Sequence, residues 1–176
     1  MSLDPSAVPS AAASPSPSPF TRGLSAWGGI DRLLGRVPPS LVSLALRVAL
    51  AVPFFRSGLT KWDGPFRISE SALFLFQEEF RLHLFGAEIA YPAPALMAIA
   101  SGTAEIVLPI LLVLGLATRL SAFGLLAMTA LIQITVPDGW ANFHLAWAAM
   151  AVAILHVGPG RIALDALRPG ATQVSR

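Results

Sequence analysis

Four apolar segments, at residues 40–60, 92–117, 120–136 and 141–157, dominate the chain. Each is close to the ~20 residues needed to cross a ~30 Å hydrocarbon core as a helix. Pro38-Pro39 bounds the first, and Gly158-Pro159-Gly160 closes the last. The second and third are joined by little more than Thr118-Arg119, which demands a tight antiparallel hairpin. Pro137-Asp138-Gly139 supplies a similar turn between the third and fourth. The long connection from Lys61 to Tyr91 has another pattern: Leu73, Phe76, Phe80 and Leu84 recur at helical spacing opposite Glu70, Gln77, Glu78 and Arg81. It predicts an amphipathic helix resting on the membrane surface or capping the bundle, with Gly86 as its stop. The expected fold is therefore all-α: a four-helix transmembrane bundle with an additional amphipathic helix between helices 1 and 2.

The tails read differently. Residues 1–19 form a Ser/Pro/Ala tract without apolar periodicity, expected to be disordered. Residues 20–37 mix Trp27, Ile30, Leu33 and Leu34 with Arg22, Arg32 and Arg36, the pattern of a short interfacial helix. The membrane domain is expected over 40–167 and a cytoplasmic tail over 168–176. Composition agrees: only 12% of residues are charged, about half of the ~25% normal in soluble domains, and the lipid bilayer becomes the principal partner.

With four spans, Arg22, Arg32, Arg36, Arg119, Arg161, Arg168 and Arg176 fall on one side. Lys61, Arg67 and Arg81 fall on the other, diluted by five acidic residues between Asp63 and Glu88. The positive-inside rule then puts both termini in the cytoplasm. The net charge of +2 is dispersed and forms no phosphate-tracking stripe, so no nucleic-acid partner is expected. The absence of cysteine removes disulfide exchange, thiolate metal sites, iron–sulfur clusters and covalent haem attachment.

Charged residues inside the spans are expensive and seek partners. Arg47 lies roughly 10 Å from the start of the first helix, and Glu105 roughly 18 Å from the start of the second, at 1.5 Å per residue. These depths predict an intramembrane Arg47–Glu105 ion pair, either fixing which helices face each other or lining a polar cavity with Ser101, Gly102 and Pro109. A second group collects toward the opposite end: Arg56 and Lys61 on the first helix, Gln133 near the end of the third, His144 at the start of the fourth, with Trp62 and Trp147 nearby. One reading is snorkelling cations in an aromatic belt. The other is a mouth for a proton, an anion or a quinone-like head group.

A haem needs two ligands at one depth on different helices. His144 and His156 share a helix, roughly 18 Å apart, and His83 lies in the loop. No His/carboxylate cluster has metal-binding spacing, so no metal is expected.

The run Arg47-Val48-Ala49-Leu50 through Phe55, Gly58 and Lys61 resembles the first helix of the DoxX family. Glu105, Pro109, Leu111 to Gly115, Thr118-Arg119 and Ala122 resemble its second-helix signature. His144, Trp147, Gly158-Pro159-Gly160 and Leu164-Asp165 resemble its closing motif, with Ala163 where the family usually has Ser. The resemblance marks Gly58, Arg119 and Asp165 as motif positions beside Arg47, Lys61, Glu105 and His144. It implies a multi-pass protein of the bacterial inner membrane, serving as an accessory subunit of a quinone-linked redox complex with a soluble or membrane oxidoreductase partner. A quinone is the one cofactor this suggests. Catalysis by this chain alone does not follow. Two alternatives stay open: a small proton-coupled permeation element, which four helices without repeats would need homo-oligomerisation to build, and a non-catalytic assembly factor.

Overall fold

The structure, a computed structural model, describes residues 35–167. The tail expected over 1–19, nearly all of the interfacial helix expected over 20–37, and the tail over 168–176 lie outside the described residues. The described residues from Pro38 to Leu167 belong to one compact unit.

Among the described residues, four helices are long and apolar enough to cross a membrane. Helix α1 spans Pro39–Leu59 and starts on Pro39, whose missing N–H costs nothing in a first turn. Helix α3 spans Pro94–Leu114 and ends at Gly115 in the left-handed conformation (φ 71°). Helix α4 spans Thr118–Thr135. The fourth span begins with a 3₁₀ turn at Pro137–Gly139 and a π turn at Trp140–His144, then continues as α5, Leu145–Val157. A last 3₁₀ turn, Leu164–Leu167, returns to the end of the bundle.

The expected amphipathic helix is present but shorter than its periodicity suggested. Helix α2, Glu70–Phe74, starts on a Ser69 cap whose hydroxyl accepts from the Ala72 N–H, and runs into a π turn at Leu75–Glu79. Leu84 is then not on a helix. Strands β1, Arg81–Leu84, and β2, Ala87–Ala90, pair antiparallel with Leu84 opposite Ala87. Phe85 and Gly86, at φ 51° and 84°, form the intervening two-residue turn. Positive φ at both central positions suits hairpin twist, so Gly86 marks a reversal between strands and not a helix stop.

Leu50 and Phe54 of α1, Leu112 of α3, Ala122 and Leu125 of α4, and Ala151 and Ile154 of α5 make the central core. A second cluster joins the insertion to the bundle, with Phe76, Tyr91 and Ala98 at its centre and Leu73, Phe80 and Leu82 packed against it. Large apolar side chains such as Val52, Ile99, Val107, Phe123 and Val152 are exposed on the outer faces of the spans. Apolar residues both inside and outside are what a helix between protein and lipid requires.

The register of α1 against α3 positions the site. A Cβ on Gly58 would come 2.8 Å from Ile106 Cγ1 and 3.0 Å from the Glu105 carbonyl carbon. One on Gly102 would come 3.0 Å from Trp62 Nε1 and 3.2 Å from Lys61 Cβ. These close approaches set Gly58 beside Glu105 and Lys61 beside Gly102. The first two turns of α3 consequently extend roughly 12 Å beyond the end of α1. The α2 segment and the hairpin cover that ledge.

Candidate functional site

This stagger corrects the expected Arg47–Glu105 pair. The depth argument took the adjoining ends of the first two spans as level. Because they are offset, Glu105 faces Gly58, roughly 16 Å along α1 from Arg47. Its carboxylate instead accepts a 2.6 Å charge-assisted hydrogen bond from Lys61 Nζ. Pro109 contributes locally: it lacks the N–H that would otherwise bond the Glu105 carbonyl, on the helix face that Gly58 approaches.

Arg47 is fully buried at the opposite end. Its guanidinium donates to the carbonyls of Leu112 and Val113, each at 3.3 Å, and to that of Ile162. The first two lie in the last turn of α3, where the regular helical donors run out, the Leu112 carbonyl taking only the Gly115 N–H at 3.1 Å, and the helix dipole favours a cation. Asp165 performs the converse task on α4. Its carboxylate accepts from Ala117 N at 3.0 Å, Thr118 N at 2.8 Å and Thr118 Oγ1 at 2.9 Å, and its charge also acts on Arg47. Arg119 Nε bonds the Leu155 carbonyl near the end of α5, and Ser43 Oγ donates to that of Gly158. Helix ends, α1 and the closing turn are thereby tied together.

At the other end, the bundle opens into a cavity of about 400 Å³. Lys61 and Glu105 form part of its wall, with Ser57 and Ser101 beside them; Phe54, Met128, Leu131 and Trp147 line the bundle side. Phe76, Phe80 and Tyr91 reach it from the insertion. Tyr91 hydroxyl lies 2.6 Å from Thr135 Oγ1, and Phe76 meets Phe80 and Tyr91 edge-on with ring centroids 5.2 and 5.4 Å apart. Lys61 Nζ also donates to Ser57 Oγ at 3.1 Å. An ammonium has three N–H donors, so one remains beyond these two bonds. The volume falls within the range of small-molecule sites, and few polar groups on mainly apolar walls are their usual composition.

The remaining candidates are divided. Arg56 is exposed on the last turn of α1 and does not line the cavity. His144 is buried and its Nδ1–H donates to Gln133 Oε1 at 2.6 Å, while Gln133 Nε2 donates to the Pro137 carbonyl. That network ties the α4 end to the π turn, one residue shell behind Trp147, whose ring centroid is 5.4 Å from the imidazole. Neither residue lines the cavity. Of the four polar groups expected at the mouth, only Lys61 lines the cavity, together with the neighbouring Trp147. Sequence reasoning missed Ser57, Tyr91 and Thr135, which required the insertion to be placed over the ledge; the Phe76/Phe80 periodicity was the available signal. Among the described residues no group of three or more His, Asp or Glu could hold a metal ion.

The DoxX family profile matches residues 42–138, from the second turn of α1 to the turn before α5. The chain belongs to the DoxX family. It is also 31% identical over 137 residues to an uncharacterized protein of Haemophilus influenzae (strain ATCC 51907 / DSM 11121 / KW20 / Rd), an alignment covering 70% of this chain and 81% of that protein. No solved structure matches the chain significantly. The part shared with DoxX proteins contains Arg47, Gly58, Lys61 and Glu105, hence both the buried arginine and the ion pair at the cavity.

Proposed function

We propose that this multi-pass DoxX protein binds a neutral lipophilic ligand bearing a carbonyl-type oxygen, a quinone being the best fit, and serves as an accessory membrane subunit of a quinone-linked redox complex. One observation carries the reading: a partly enclosed apolar cavity with a self-neutralised Lys61–Glu105 pair and one uncommitted ammonium N–H. A net anion would have to compete with Glu105 for Lys61. A neutral carbonyl can accept the remaining N–H while its ring and tail occupy the aromatic and aliphatic walls. Glu105 and Lys61 are also suited to exchange a proton with a bound oxygen.

The packing on the Arg47 side of the cavity supports binding over permeation. The core cluster of Leu50, Leu112, Leu125 and Ile154 and then the Arg47 network stand between it and the other end. The orientation we propose puts the Arg47 end, with Arg119 and Arg161, at the cytoplasmic face of a bacterial inner membrane. The test is gentle detergent purification from native membranes, with identification of copurifying proteins and lipophilic molecules. A stoichiometric oxidoreductase subunit and a retained quinone are expected. A clean bundle lacking both contradicts the proposal.

A further inference from the structure

Between α1 and α2 the chain makes a small closed loop. Trp62 and Ile68 form an isolated antiparallel bridge; Asp63 N donates to the Arg67 carbonyl at 3.0 Å, Arg67 N to that of Gly64 at 3.4 Å, and Ser69 N to that of Lys61 at 2.8 Å. Phe66 lies within this loop at φ 62° and is 99% exposed. A bulky residue in the left-handed region is uncommon and strained, yet here that conformation holds an aromatic ring away from the protein.

The loop's location explains the arrangement. Phe66 and Pro65 share a groove with Leu59 and with Thr103, Ile106 and Val107 of α3. Thr103 and Val107 are the tenth and fourteenth of the 21 residues of α3. The loop therefore folds back along the middle of a membrane-spanning helix, on a side where Thr103 and Val107 are exposed.

We propose that residues 62–68 form a hook set into the lipid, with Phe66 inserted among the acyl chains of the leaflet at the Lys61 end. Two of its backbone N–H groups, those of Asp63 and Arg67, are bonded within the loop, which lowers the cost of setting non-helical backbone beside lipid. Asp63 and Arg67, both exposed at its base, sit where head groups and water can reach them, the arginine by extending its stem. The occupant of the groove beneath Phe66 is an acyl chain, continuing the lipid contact that the exposed faces of α1 and α3 already make.

The chain has no cysteine, so single-cysteine variants test this directly. Phe66→Cys, Val107→Cys and Asp138→Cys are labelled with an environment-sensitive fluorophore and reconstituted into phosphatidylcholine vesicles. Val107 reports the lipid-facing span and Asp138 an exposed turn. The label at position 66 is expected to emit at short wavelength, to be quenched by acyl-chain nitroxides like that at 107, and to resist iodide. Long-wavelength emission with iodide quenching like that at 138 overturns the hook. Protection from both quenchers, with spontaneous Phe66→Cys disulfide dimers, overturns it in favour of a contact between copies. Since Phe66 lies outside the core, elution and thermal stability should match the parent protein and separate these outcomes from misfolding.

Discussion

At the Arg47 end of the bundle, charged side chains bond backbone groups near helix termini; at the Lys61 end, two charged side chains bond each other beside a cavity. Arg47 and Asp165 meet carbonyls at the end of α3 and N–H groups at the start of α4. Lys61 and Glu105 leave an ammonium N–H beyond their mutual bond and the one to Ser57. The same cost of burying charge in a membrane is thus met by backbone groups at one end and by an ion pair beside a cavity at the other. An intramembrane charge does not by itself announce a site; its partners do.

The contrast should appear in how variants divide between stability and binding. Arg47→Ala should have the largest effect, removing the donor from three carbonyls and opening space in a fully buried position. A loss exceeding about 3 kcal/mol is expected, seen as a collapse in detergent-solubilised melting temperature and yield. Arg47→Lys should rescue little, because an ammonium cannot reproduce the planar fork. Gly58→Ala should cost about 1–3 kcal/mol by overpacking against Ile106 and the Glu105 backbone. It should also weaken ligand retention, by prising α1 from α3 where the ion pair forms.

Glu105→Gln should cost about 1.5–3 kcal/mol, the usual worth of a hydrogen bond to a charged group. Combining it with Lys61→Met should recover much of that, because no unpaired charge remains. Ligand binding should stay lost in the double variant, and a thermal melt alongside a ligand assay reads the two effects separately. The smallest change is expected for Gln133→Ala, about 1–2 kcal/mol from its two hydrogen bonds, to His144 and to the Pro137 carbonyl, with ligand retention intact. If Gln133→Ala abolished binding as Lys61→Met is expected to, the division between the cavity and the Gln133–His144 network would be wrong.

The four spans were legible because lipid imposes length and apolarity on each helix independently of its neighbours. Lys61 and Glu105 were likewise visible as costly residues. Their pairing was not, since helix stagger is set by close contacts at Gly58 and Gly102, and sequence depth assumes level ends. Arg47 illustrates the same limit: its partners are carbonyls, which every residue carries and no side-chain pattern reveals. In the insertion, apolar spacing continued through Leu84, but the Phe85-Gly86 turn redirected the chain into a hairpin. Local periodicity identified the face that packs on the bundle and missed the change of backbone state along it.

The most direct measurement is quinone binding to the purified protein in lipid nanodiscs, comparing the parent chain with the Lys61→Met/Glu105→Gln variant at matched folding. Saturable binding by the parent, lost in the folded double variant, is the predicted result. Equal binding by both, or none by either, would contradict the assignment of the Lys61–Glu105 cavity as the ligand site.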